Sequence, residues 1–173
     1  MVESSIDILV PTVNERIGTW YPATRAAIDG VPPHITLLWP WLDAPVSDEA
    51  IVRVRRAVSG VQRGALALGG VGRFPGVVYL EPEPRSYVDD LVARLVTAFP
   101  ETPPYGGVFG SSPVPHLTVA TSADERVLDV IERRLRTLFE GPLRLVVDRV
   151  SISEQGRGSG GHWAVRAEVP FGQ

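Results

Sequence analysis

The segment Pro33-His34-Ile35-Thr36-Leu37 returns later in the chain as Pro115-His116-Leu117-Thr118-Val119, and similar elements flank both copies. Ahead of each lies an apolar stretch ended by proline, Ile6-Asp7-Ile8-Leu9-Val10-Pro11 and Val77-Val78-Tyr79-Leu80-Glu81-Pro82, which reads as a strand because proline suits a strand end. Helical spacing then predicts helices over 14–28 and 86–99 before the motifs, and over 47–58 and 123–139 after them. Apolar strands at 66–74 and 143–153 close the two halves, and a last strand ends at Pro170. The order of elements thus occurs twice, the pattern of an internal duplication. It predicts an α+β fold of two pseudo-symmetric lobes, with two antiparallel or mixed sheets facing a central cleft and helices outside.

Several helix boundaries are marked by their own chemistry. Ser47 and Ser86 stand where N-caps are expected, Asp89 holds the capping-box position after Ser86, and Gly141-Pro142 ends the last helix. Val127, Leu128, Ile131, Leu135 and Leu138 recur at helical spacing, as do Val88, Leu91, Val92, Leu95 and Val96. Pro22 falls inside 14–28 and predicts a kink or a split there.

Side chains alternate across a strand, so His34 and Thr36 share one face while Ile35 and Leu37 share the other. His116 and Thr118 repeat this arrangement. Related by a pseudo-two-fold axis, both His/Thr pairs line one cleft. Phosphodiester hydrolysis needs a base for the attacking water and an acid for the leaving oxygen. Imidazole serves either role near neutrality, and the two threonine hydroxyls can donate to the non-bridging oxygens. A lone His-x-Thr on a strand is more often structural. Two copies at equivalent places, in a chain holding only 3 histidines, favour catalysis.

The paired His34-Ile35-Thr36-Leu37 and His116-Leu117-Thr118-Val119 motifs, with the duplicated strand–helix order, resemble the two-histidine (2H) phosphoesterase superfamily of 2′-5′ RNA ligase-like and cyclic phosphodiesterase proteins. Pro32-Pro33-His34-Ile35-Thr36-Leu37-Leu38-Trp39-Pro40 is similar to that family's first motif. The resemblance implies a bilobal fold, catalytic His34 and His116, phosphate-binding Thr36 and Thr118, and no metal or other cofactor. It implies hydrolysis of 2′,3′-cyclic nucleotide phosphates, 2′-5′-linked oligonucleotides or RNA-end phosphodiesters. A nucleotide-binding module that kept the cleft and lost turnover is the alternative.

Composition excludes other chemistries. The chain has 173 residues, the size of one domain spanning 1–173. It lacks cysteine, which removes disulfides, thiolate zinc sites and cysteine nucleophiles. All 17 basic residues are arginine, which removes Schiff-base lysines and the phosphate-loop lysine. A net charge of −3 with interspersed signs points to a small nucleotide or RNA-end substrate rather than a duplex. With no apolar run of membrane-spanning length and no basic leader, the expectation is a cytoplasmic monomer free of membranes.

Other features are weaker. Gly156-Arg157-Gly158-Ser159-Gly160-Gly161 has the spacing of a dinucleotide loop, but His162-Trp163 reads as the start of a strand where such a loop opens a helix. A glycine hairpin is the expectation, from which Arg157 could reach a phosphate. Trp39, Trp41, Phe74, Tyr79, Tyr105 and Phe109 are the aromatics near the motifs, and Phe109 is the first candidate to stack on a nucleobase. Ser111-Ser112 lacks the turn and carboxylate pattern of a serine hydrolase. No histidine, carboxylate or cysteine cluster adjoins either motif, so no metal is expected.

Overall fold

Strand patterning around the two motifs becomes the middle of one sheet. The structure, a computed structural model, describes residues 3–43, 45–110, 113–156 and 161–172. Eight strands, β1 (Ser4–Leu9), β2 (His34–Leu38), β3 (Gly64–Phe74), β4 (Val77–Glu83), β5 (Leu117–Thr121), β6 (Leu143–Val147), β7 (Arg149–Gln155) and β8 (Trp163–Pro170), lie in the order β6-β3-β4-β5-β2-β1-β7-β8. Every pairing is antiparallel. The expected two sheets are therefore one. The two motif strands make the join: β2 and β5 pair at Ile35 and Leu117, linking the four strands on either side.

The expected strand over 143–153 divides at Asp148, because its two parts serve different neighbours: β6 pairs with β3 and β7 with β1. Pro82 lies within β4 rather than ending it. It faces Leu68, beside a register shift in β3 that relieves the ladder where proline has no N–H to give.

The helices are α1 (Asn14–Ile17), α2 (Arg25–Ile28), α3 (Asp48–Val58), α4 (Arg85–Ala98) and α5 (Glu125–Leu138). The segment carrying Pro22 is split as expected, with a 3-10 turn at Tyr21–Ala23 between α1 and α2. Ser47 caps α3 by accepting from the Ala50 N–H. Ser86 does not cap α4; that helix starts one residue earlier after Pro84, whose extended backbone sets the entry. Asp124, accepting from the Arg126 N–H, caps α5 instead. Along α5, Leu128, Ile131 and Leu135 are buried, while Val127 and Leu138 lie at the edges of that stripe and are exposed. The helices α3 and α4 pack on each other, with α4 against β2 and α3 against β8, while α5 covers β3, β4 and β5.

Ile35, Leu37, Leu117 and Val119 are sealed in the core, and His34, Thr36, His116 and Thr118 are half-buried on the opposite side. The alternation in the sequence is thus the alternation in space.

Candidate active site

A cleft of about 520 Å³ lies over the β2–β5 join, and His34, Thr36, His116 and Thr118 all line it. The two histidines are held alike. His34 Nδ1 meets the Pro32 carbonyl at 2.9 Å, and His116 Nδ1 meets the Val114 carbonyl at 2.8 Å. In each case the partner is two residues upstream, supplied by the extended proline-rich approach to the motif. A carbonyl can only accept, so Nδ1 carries the proton and Nε2 is the free nitrogen on both rings.

The surroundings of the two rings differ. His116 packs against the paired rings of Phe74, edge-on at 5.1 Å between centroids, and Tyr79 at 5.3 Å. Burial there pushes its pKa below the ordinary histidine value, the Val114 carbonyl partly opposes this, and the charge of His34 adds to the lowering. His34 has Asp7 as a neighbour instead, on the adjacent strand where Asp7 pairs with Thr36. Asp7 is only 1% exposed and accepts from Ser5 Oγ at 2.5 Å, while its Oδ1 has no protein partner. Burial raises the Asp7 pKa, against the influence of His34, Ser5 and Thr36.

Tyr105 forms a wall of the cleft. Its backbone takes a positive φ of 52°, its N–H donates to the Trp39 carbonyl at 2.6 Å, and its ring contacts Trp39 and Phe109 edge-on. Phe109 lies beyond Tyr105, outside the main cleft, with 66% of its surface exposed. Trp39 lines the cleft, whereas Trp41 is in the core against Phe99. Arg157 falls outside the described residues, as do Ser111 and Ser112. The strands that flank the glycine-rich segment pair as a hairpin, Gln155 opposite Trp163, so no helix follows it. Among the described residues no group of three or more His, Cys, Asp or Glu side chains could hold a metal ion. No described helix is long and apolar enough to cross a membrane.

Sequence reasoning missed Asp7 and Trp163 as residues of this cleft. The signal for Asp7 was present: one acid in the apolar run from Ile6 to Val10. Trp163 carried none, since its position depends on the pairing of β7 with β8.

Comparison with known proteins decides the family. The model of the 2′-5′ RNA ligase superfamily matches residues 11–159, which include both motifs. The chain belongs to the 2′-5′ RNA ligase superfamily. Within this group of 2H phosphoesterases, Escherichia coli LigT complexed with NADP+ shares the fold at 19% identity and a TM-score of 0.61, over 99% of this chain and 98% of that one. LigT complexed with 3′-AMP aligns at 18% identity and a TM-score of 0.61, over 99% of both chains. TT0787 of Thermus thermophilus aligns at 16% identity and a TM-score of 0.64, over 98% of this chain and 97% of that one. No curated protein matches the chain. As a superfamily member it has a mixed α/β fold built on an antiparallel sheet of eight strands.

Proposed function

We propose that the protein is a metal-independent phosphodiesterase acting on 2′,3′-cyclic nucleotide phosphates or on 2′-5′-linked and RNA-end phosphodiesters. One observation carries the reading: both histidines spend Nδ1 on the carbonyl two residues upstream, which leaves two equivalent Nε2 atoms for one cleft. His116, whose burial favours the neutral ring, takes the base role, and His34 takes the acid. Water attacks phosphorus as His116 Nε2 removes its proton. The P–O bond to the departing sugar oxygen breaks as His34 Nε2–H protonates that oxygen, leaving a phosphomonoester and a free hydroxyl. Thr36 and Thr118 donate to the non-bridging oxygens, where charge builds up.

LigT has been complexed with NADP+ and 3′-AMP, which supports a small nucleotide as the substrate class. The protein is further proposed to act as a cytoplasmic monomer. Purified protein should turn over 2′,3′-cyclic AMP or 2′-5′-linked diadenosine without added metal. His34→Ala and His116→Ala should each lower turnover about 10²–10⁴-fold while keeping the wild-type circular dichroism spectrum. Near-wild-type turnover by either variant removes that histidine from the mechanism.

A further inference from the structure

A hollow of about 650 Å³ lies between the end of α1 and the C-terminal half of α5, and it shares no lining residue with the two-histidine cleft. Arg16, Trp20, Arg133 and Arg134 line it, and no acidic side chain does among the described residues. Such a concentration of one sign runs against a chain of net charge −3. Other arginines that line hollows have carboxylates beside them: Arg25 has Asp29, Arg94 has Asp90, and Arg53 and Arg56 have Asp48 and Glu49.

The acids that could neutralise the hollow are engaged elsewhere. On α5, Glu125, Asp129 and Glu132 pair with Arg73, and Glu132 pairs with Arg136 as well. Asp129, one turn before Arg133, is thereby drawn to β3, and the residue one turn before Arg134 is Val130. Arg133 and Arg134 are exposed, and neither has an ion-pair partner among the described residues. Arg16 is fixed in place: its guanidinium lies 5.1 Å from the Phe139 ring centre and donates to the Gly141 carbonyl at 2.6 Å and the Leu138 carbonyl at 3.4 Å. Those carbonyls belong to the end of α5, whose partial negative charge Arg16 offsets before it can repel an anion.

The ligand class follows from this chemistry. At an exposed surface each ionic contact adds little, so one small anion gains too few of them. Phosphates spaced along a strand gain several at once and release counterions as they do. Half-buried Trp20 adds an aromatic surface for a base, and three arginines are too few for the broad basic face a duplex needs.

We propose that the hollow between α1 and α5 binds the phosphates of a single-stranded nucleic acid, with a base against Trp20, as a site separate from the two-histidine cleft. It stands whether or not the cleft turns substrate over.

Fluorescence anisotropy of labelled octauridylate, followed over about 50–200 mM salt, would compare wild type with Arg133→Gln/Arg134→Gln. Arg16 is left intact because it caps α5. Three phosphate contacts give a slope of log K against log salt of about −2, and losing two should flatten it to about −0.7. Affinity should fall about 2–30-fold, the worth of two exposed ionic contacts. Arg55→Gln/Arg56→Gln makes the same charge change on α3 and should keep the wild-type slope. The site is overturned if the wild type does not bind octauridylate, if the α5 variant keeps the wild-type slope, or if the α3 variant loses as much. An equal loss of 3′-AMP affinity in the α5 variant would also overturn it, by making the hollow a mononucleotide site.

Discussion

Each of the two cleft histidines is controlled by a backbone carbonyl and by what its ring touches. The Pro32 and Val114 carbonyls fix the same tautomer on both rings, so the difference in proposed role arises from the surroundings. Burial against Phe74 and Tyr79 lowers the His116 pKa, so its neutral, proton-accepting form persists below the usual value of about 6.5. As pH falls, the base is lost only when His116 gains a proton, so the acid limb of the kcat/KM profile should lie below about pH 6.5. The alkaline limb marks loss of the protonated acid, giving a bell whose apparent values belong to the coupled pair and to neither ring alone. A rate still climbing above about pH 9 would mean that no protonated imidazole is needed. The His-x-Thr pairs themselves were legible from residue spacing, because a strand's two-residue period is local. Asp7 was visible as an acid in an apolar run, but its place beside Thr36 needed the β1–β2 register.

At the scale of elements, β3 and β4 build the aromatic wall of His116. Gly72 pairs with Tyr79 across the ladder, and a Cβ on Gly72 would fall within the Tyr79 ring. Glycine is therefore required by contact at this position. Gly72→Ala should destabilise the protein by about 1–3 kcal/mol through overpacking, and should lower turnover as Tyr79 shifts against His116. Urea unfolding at constant m would show the loss, and a midpoint equal to wild type would contradict it. Helices α3, α4 and α5 were legible from apolar spacing, as was the Ser47 cap. The start of α4 was not, because Ser86 has capping chemistry but Pro84 already holds the extended backbone of the entry.

At the scale of the molecule, neither half of the sheet is a continuous piece of chain. The β2-β1-β7-β8 side receives β1 and β2 with α3, later α4 against β2, and finally β7 and β8. The β6-β3-β4-β5 side takes the intervening strands and α5. With its segments interleaved, neither side can complete its core without the other, which predicts one cooperative transition. Trp39, Trp41 and Trp163 lie on the β2-β1-β7-β8 side, and Trp20 shares a hollow with Arg133, Arg134 and Leu138 of α5, so tryptophan fluorescence is weighted towards one side, whereas far-ultraviolet circular dichroism reports on both equally. The two denaturation curves should coincide, and separated midpoints would show that one side melts alone.

Composition and periodicity by themselves determined that the chain mixes helices with strands, that two strands present His and Thr on one face, and that cysteine and lysine chemistry is excluded. These follow from the identity of residues and from side-chain directions that repeat within a few positions. Only the tertiary structure decided that the two motif-bearing segments share one sheet, that the stretch over 143–153 divides between β3 and β1, and that Asp7, Tyr105 and Trp163 line the same cleft as the histidines. Those outcomes depend on which strands pair across long separations, as Ile35 does with Leu117. Local spacing gives each strand a buried face but does not name its partner.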